Sequence, residues 1–230
     1  VKKFQINLLI ILEIWFIFKL IMYEDALIIL NKDKKLKKII SSVGECKIRT
    51  ISNPFEALIE AIITQQISDS AGKAISLRFK NLFGTKYPTA NDIVKLSKNE
   101  IKSIGLSRMK AEYIFDISKM IVEKKLNFKI FNKMSDDEVI SELTKIRGIG
   151  KWTAEMYLIF GLGRLDVFPL GDLGLINGMK KLYGLENPTN KEILEITNKW
   201  IPYRTIGTWY IWKGVKNFQF VWSRHKFLNF

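Results

Sequence analysis

Read from the pattern of its apolar and polar positions, the 230-residue chain is one helix after another. Phe55, Leu58, Ile59, Ile62 and Ile63 fall at i, i+3, i+4, i+7 and i+8, the spacing of one apolar helix face. Leu106, Met109, Tyr113, Ile117, Met120 and Ile121 repeat the spacing and predict a second such face. Three capping signatures mark helix starts: Ser97 with Glu100, Ser135 with Glu138, and Thr189 with Glu192. In each, the hydroxyl reaches the third amide while the glutamate reaches back. No segment alternates apolar and polar residues for long, and no turn joins two β-rich runs. The pattern predicts an all-α chain.

No cluster of Gly, Pro and Ser marks a linker, so Leu126–Phe131 is read as a connection between two lobes. Asn31–Lys38, with five lysines, reads as a solvated helix face. Phe4–Met22 is apolar and follows Lys2 and Lys3, but Glu13 and Lys19 interrupt it, and its longest pure runs are five residues. A membrane-spanning helix wants about 20 nearly uninterrupted apolar residues, and no small-residue cleavage site follows. The expectation is a cytoplasmic chain with no membrane partner. Met22 with Tyr23-Glu24-Asp25 resembles an ordinary N-terminus. Residues 1–21 are therefore read as an upstream extension, 22–212 as the core and 213–230 as a tail in which the periodicity fades.

Charge narrows the class of partner. Lys and Arg number 37 against 23 Asp and Glu, a net +14 with a pI near 9.7. Setting residues 1–21 aside removes three lysines and one glutamate, so the basic character survives. Such a surplus favours a polyanion, nucleic acid ahead of membrane, although a solvated lysine coat would look the same by charge alone. Cys46 is the single cysteine, which excludes an internal disulfide, a four-cysteine zinc site and an iron–sulfur cluster. His225 is the single histidine, so His-rich metal sites are excluded and a Ser-His-Asp triad is disfavoured. Chemistry falls to carboxylates, lysines, hydroxyls and backbone groups.

The most informative segment is Leu143-Thr144-Lys145-Ile146-Arg147-Gly148-Ile149-Gly150-Lys151-Trp152-Thr153-Ala154. A helix is predicted to end at Ile146, Gly148 and Gly150 to form a turn, and a second helix to start at once. Glycine there permits left-handed backbone angles and the close approach of a ligand. The free amides at the second helix's N-terminus then face outward, ready for a phosphate oxygen. Two glycines by themselves equally suit a plain turn between antiparallel helices.

The longer string resembles the hairpin of the helix-hairpin-helix DNA glycosylase superfamily, in particular its alkylated-base branch, 3-methyladenine DNA glycosylase II. The resemblance runs from about Asn53 to Trp212. It rests also on Ile62-Ile63-Thr64-Gln65-Gln66-Ile67-Ser68, on Gly105–Ile114, on Asp166–Leu175 and on Trp200-Ile201-Pro202-Tyr203-Arg204. Larger members carry an additional N-terminal β domain; nothing in this sequence encodes one, so it reads as the compact form. The implied architecture is a two-lobed helical fold with an active-site cleft between lobes. The implied partner is damaged double-stranded DNA, met by a monomer, and the implied location is at the nucleoid. No organic cofactor is implied, but a structural Na⁺ or K⁺ is, held by the backbone carbonyls of Thr144, Ile146 and Ile149.

The resemblance places Asp172 as the carboxylate that stabilises the sugar cation while water attacks. On its own, an aspartate there reads as a helix N-cap, and the two roles are compatible. Asp166 is the rival carboxylate and is assigned a structural role. Trp152 reads either as core or, by resemblance, as an aromatic wall of the base pocket that attracts a methylated, positively charged purine. Tyr203 is matched as a second wall, and Arg204 is read as the partner of a buried carboxylate. DNA contacts are expected from Arg147, Gly148, Ile149, Gly150, Lys151 and Thr153. Gln65 and Gln66 are candidates for the wedge that fills the gap left by a flipped base, or for a polar helix end. The lyase branch carries a lysine where Trp152 stands, so hydrolysis without strand cleavage is expected. Alternatives are a glycosylase for uracil or 8-oxoguanine, or a non-catalytic DNA-binding protein that keeps the hairpin.

Overall fold

The computed structural model describes residues 23–84 and 86–225, the side chains of Asp69 and of residues 215–225 excepted. The expected extension 1–21 lies outside the described residues. Every regular element among them is helical, as the pattern predicts. No helix among them is long and apolar enough to cross a membrane. The chain forms two compact units. One is continuous, Arg49–Arg164, and the other is built from Val1–Ile48 and Leu165–Phe230.

The continuous unit contains α3 (Pro54–Ile63), α4 (Asp69–Leu82), α5 (Ala90–Ile93), α6 (Lys98–Ser103), α7 (Arg108–Val122), a 3₁₀ segment (Phe128–Lys133), α8 (Asp136–Thr144) and α9 (Lys151–Phe160). Asn53 caps α3 by accepting from the amides of Phe55 and Glu56, and Pro54 supplies a preset first-turn φ. Phe55, Leu58, Ile59, Ile62 and Ile63 are all buried, the face the spacing predicts. It packs against α9 and α7. All three expected capping boxes form, and Thr89 with Asp92 makes a fourth at α5.

Two expectations are corrected here. In α7 the buried face runs through Ala111, Ile114, Ile117 and Ser118 rather than through Met109 and Tyr113, and Met109 is exposed. Helix α7 is packed by α3, α5 and α6, and small residues on its inner face let those neighbours approach closely. Leu126–Phe131 is also no connection between lobes. It lies inside the continuous unit, where Phe128 and Phe131 pack on Tyr157 and the Arg164 guanidinium donates to the carbonyls of Phe131 and Met134.

The two-segment unit joins α1 (residues 23–30) and α2 (Lys34–Val43) to α10 (Leu173–Tyr183), α11 (Asn190–Thr197), a 3₁₀ turn (Asn198–Trp200) and α12 (Arg204–His225). The tail boundary drawn after Trp212 falls within α12. Ala26, Leu30, Leu36 and Ile39 from the first segment share a core with Leu175, Met179, Trp200 and Tyr210 from the second. The lysines of α2 are exposed, as read from the sequence. Asp33 holds the segments together: it caps α2 through the amides of Lys35 and Leu36, and accepts from the Tyr183 hydroxyl at 2.5 Å and the Trp200 indole at 3.2 Å. Burial alone would raise the Asp33 pKa. The Tyr183 hydroxyl, the Leu36 amide, the Trp200 indole and the Lys35 amide outweigh it and hold the carboxyl below its ordinary value.

Asp33→Ala is expected to cost about 2–4 kcal/mol, a lost cap plus two donors left without an acceptor. Because the folded-state pKa is depressed, the contribution is full above the ordinary aspartate value and fades as pH falls through the folded value. Urea unfolding at neutral pH and at about pH 3 should show the wild-type advantage shrinking in acid; an advantage independent of pH would remove Asp33 from this role.

Candidate active site and nucleic-acid interface

Helix α8 ends at Thr144, and the chain reverses over Lys145–Gly150 into α9. Gly148 has φ +93°, and a Cβ there would lie 2.2–2.7 Å from ring carbons of Tyr113. Glycine is therefore required twice over, for the angle and for the contact. Gly150 is different: its φ is −91°, and a Cβ would meet nothing within 4 Å. The fold has no steric need for glycine at 150, and the turn is open on that side. As the N-cap of α9, Gly150 offers no side chain to the first amides of the helix.

The turn also presents carbonyl oxygens. The Ile146 carbonyl takes the Ile149 amide at 3.1 Å. Among the described residues no backbone amide bonds to the carbonyl of Thr144 or Ile149. The three carbonyls named by the resemblance thus belong to one short stretch, Thr144–Ile149, and neutral carbonyl oxygens are the ligand type a hard monovalent cation takes.

The structure separates the two glutamines. Gln65 donates its amide to the Gly148 carbonyl at 2.9 Å and to Thr153 Oγ1 at 2.8 Å, so it grips the hairpin instead of projecting as a wedge. Gln66 is exposed and left-handed, with φ +53°. Arg147 lies over the Tyr113 ring at 5.4 Å and pairs with Glu112 and Asp116, and Lys151 pairs with Glu155. Both cations stay largely exposed on the hairpin surface. Trp152, next on α9, is half-buried, while Thr153 and the six residues after it are buried.

In the two-segment unit, Asp172 is the N-cap of α10, as its sequence position suggests. Its Oδ1 accepts from the Leu175 amide at 2.6 Å and from the Trp212 indole at 3.2 Å. The neighbouring Leu173 is 79% exposed, which leaves this helix start open on one side. Asp166 is engaged otherwise: the Arg204 guanidinium donates to both of its oxygens at 2.8 and 2.9 Å. That fork confirms the expected pairing of Arg204 and gives Asp166 its structural role. Tyr203 is half-buried against the core of this unit.

Sequence reasoning missed three participants. Tyr113 carries the hairpin, Trp212 fixes Asp172, and Lys110 donates to the carbonyls of Ile63 and Gln65 at 2.8 and 2.6 Å. Burial lowers the Lys110 pKa from its ordinary value. Lys110 and Tyr113 lie within or beside a matched segment, but only the fold brings them to partners about 35–47 residues away.

These features agree with the comparisons to known proteins. A profile of HhH-GPD superfamily base excision DNA repair proteins matches residues 59–203. The chain belongs to that superfamily. The alkylbase DNA glycosidase-like protein mag2 of Schizosaccharomyces pombe is 34% identical over 187 residues, 79% of this chain and 88% of that protein. Among solved structures, the 3-methyladenine DNA glycosylase Mag1 of the same yeast, in complex with abasic DNA, superposes with a TM-score of 0.76. It is 33% identical and covers 82% of this chain and 95% of its own. A DNA-3-methyladenine glycosidase from Bacillus halodurans gives 0.68 at 36% identity, covering 83% of this chain and 88% of that one.

The two glycines are expected to behave oppositely in unfolding experiments. Gly148→Ala should lose about 3 kcal/mol or more, from ring overlap and a strained φ. Gly150→Ala should stay within about 1 kcal/mol of wild type. Equal losses at both positions would contradict the assignment of open space to Gly150.

Proposed function

We propose that this chain is a DNA glycosylase that hydrolyses the N-glycosidic bond of alkylated purines of the 3-methyladenine type, leaving an abasic site in an uncut strand. The observation that carries the reading is Asp172, a carboxylate held in one orientation by the Leu175 amide and the Trp212 indole at the start of α10. As the base departs, the sugar gains positive charge. A fixed carboxylate offsets that charge and orients the attacking water. Membership of a base excision repair superfamily and the naming of close relatives as 3-methyladenine glycosylases support the same chemistry.

Trp152 and Tyr203 supply aromatic surface. A methylated purine carries positive charge, and an indole face attracts it more than it attracts a neutral base. That preference favours alkylated bases over uracil or 8-oxoguanine. The hairpin amides of α9, with the exposed Lys151 and Arg147, take the phosphate backbone of double-stranded DNA. The carbonyls of Thr144, Ile146 and Ile149 would hold a Na⁺ or K⁺, which supplies positive charge toward a phosphate. Gln66, exposed on its left-handed turn, would fill the gap behind a flipped base. Water is the nucleophile, because Trp152 occupies the position at which the lyase branch carries its amine, and Lys151 beside it is paired to Glu155.

Asp172→Asn keeps the cap and removes the charge. Single-turnover release of 3-methyladenine should slow by about 10²- to 10³-fold, with affinity for a damaged duplex retained. Wild-type product should be an intact strand that alkali then breaks, with no borohydride-trapped adduct. A trapped adduct abolished by Lys151→Ala would overturn hydrolysis, and full activity of Asp172→Asn would move the role to another carboxylate. A parallel panel of uracil and 8-oxoguanine duplexes should show little release.

Gly150→Val tests the hairpin separately. It should weaken binding to damaged and undamaged duplex alike, because the hairpin reads backbone and not base. Undiminished binding in this variant would show that phosphate is gripped elsewhere.

A further inference from the structure

Gln66 is one of two residues other than glycine with positive φ among those described, and it is exposed. A glutamine gains nothing intrinsically from that conformation, which costs of order 1 kcal/mol or more and persists only where the surroundings enforce it. The surroundings here act on the residue before it. The Gln65 amide N–H donates to the Ile62 carbonyl at 3.3 Å. Its carbonyl takes the Lys110 ammonium at 2.6 Å, and the same ammonium takes the Ile63 carbonyl at 2.8 Å. Its side-chain amide bridges the Gly148 carbonyl and Thr153 Oγ1. Residue 65 is thus fixed at main chain and side chain by α7, by the hairpin turn and by the first turn of α9.

Lys110 is suited to its part. An ammonium facing the last carbonyls of α3 meets the negative end of that helix, and its burial means that the two carbonyls replace water as its partners. Without it, the peptide joining Gln65 to Gln66 would lose its strongest acceptor contact and be free to rotate.

We infer that Gln65 and Lys110 are positioning residues that hold the Gln66 turn in fixed register with the phosphate-gripping hairpin, so that grip and wedge meet DNA as one rigid element. The inference rests on the glycosylase reading for the identity of the ligand. It adds that lesion recognition depends on a clasp that itself touches no DNA. Loss of the clasp leaves both DNA-contacting parts present but lets them move independently, which lowers preference for an opened site more than it lowers general affinity.

The test is a double-mutant cycle with Gln65→Leu and Gln66→Ala, read as the affinity ratio between a duplex carrying a tetrahydrofuran abasic analogue and the undamaged duplex. The second readout is the fluorescence of 2-aminopurine placed beside the analogue, which reports unstacking. Gln65→Leu should cut the ratio and the fluorescence gain by about tenfold in the wild-type background. It should have little effect once Gln66 is alanine, since coupled residues are non-additive. Lys110→Met should reproduce the loss, Lys110→Arg should restore most of it, and these variants decide the matter if Gln65→Leu does not fold. Additive effects in the cycle, or an unchanged ratio in Gln65→Leu and Lys110→Met, would overturn the inference. Failure of the wild type to release any alkylated base would instead overturn the glycosylase reading, and the analogue-binding cycle would still decide the clasp.

Discussion

Between α8 and α9 the main chain at Gly148 lies against the ring of Tyr113, closer than any residue bearing a Cβ could come. This contact sets the height of the turn above α7. At that height the Gly148 carbonyl faces Gln65, the Arg147 guanidinium rests over the same ring and meets Glu112, and α9 begins with amides that no side chain caps. A larger residue at 148 would lift the turn and disturb all of these together. The geometry of the hairpin is thus a property of the packing beneath it as much as of the turn itself.

Two aspartates six residues apart show how environment divides one chemistry into two roles. Asp166 receives a guanidinium fork, which neutralises it and ties the chain before α10 to the start of α12. Asp172 Oδ1 instead accepts from a backbone amide and an indole N–H, which fix the carboxylate at the start of α10.

What the sequence disclosed follows from the range of each interaction. Capping boxes span three residues, and all three expected ones form; Thr89 with Asp92 is a less legible fourth because aspartate is the shorter, less usual partner. The buried positions of α3 are legible because all of them are apolar, whereas in α7 small Ala111 and polar Ser118 are buried while Met109 is exposed, so apolar spacing alone gives the wrong phase. Asp172 as a cap and Arg204 as a carboxylate's partner were both legible. The clasp of Gln65 on residues 148 and 153, the support of Tyr113, and Asp33 as the acceptor for Tyr183 and Trp200 were not. Each joins residues about 35 to 167 positions apart, and no local pattern encodes a partner at that distance.

The two-segment unit has a consequence for how the chain comes into being. Residues 49–164 are contiguous and complete their own core, so they can fold while synthesis continues. Helices α1 and α2 emerge earlier but must wait. Their apolar faces are covered by Leu175, Met179, Trp200 and Tyr210, and the Asp33 carboxylate meets its last acceptor-seeking partner only when residue 200 is made. For more than a hundred residues of elongation, α1 and α2 stand with an unburied apolar face, and closing that long loop is an entropic barrier the finished molecule no longer shows. A ribosome that stops before α12 would release a chain whose middle is sound and whose α2 lacks the helix that covers most of it.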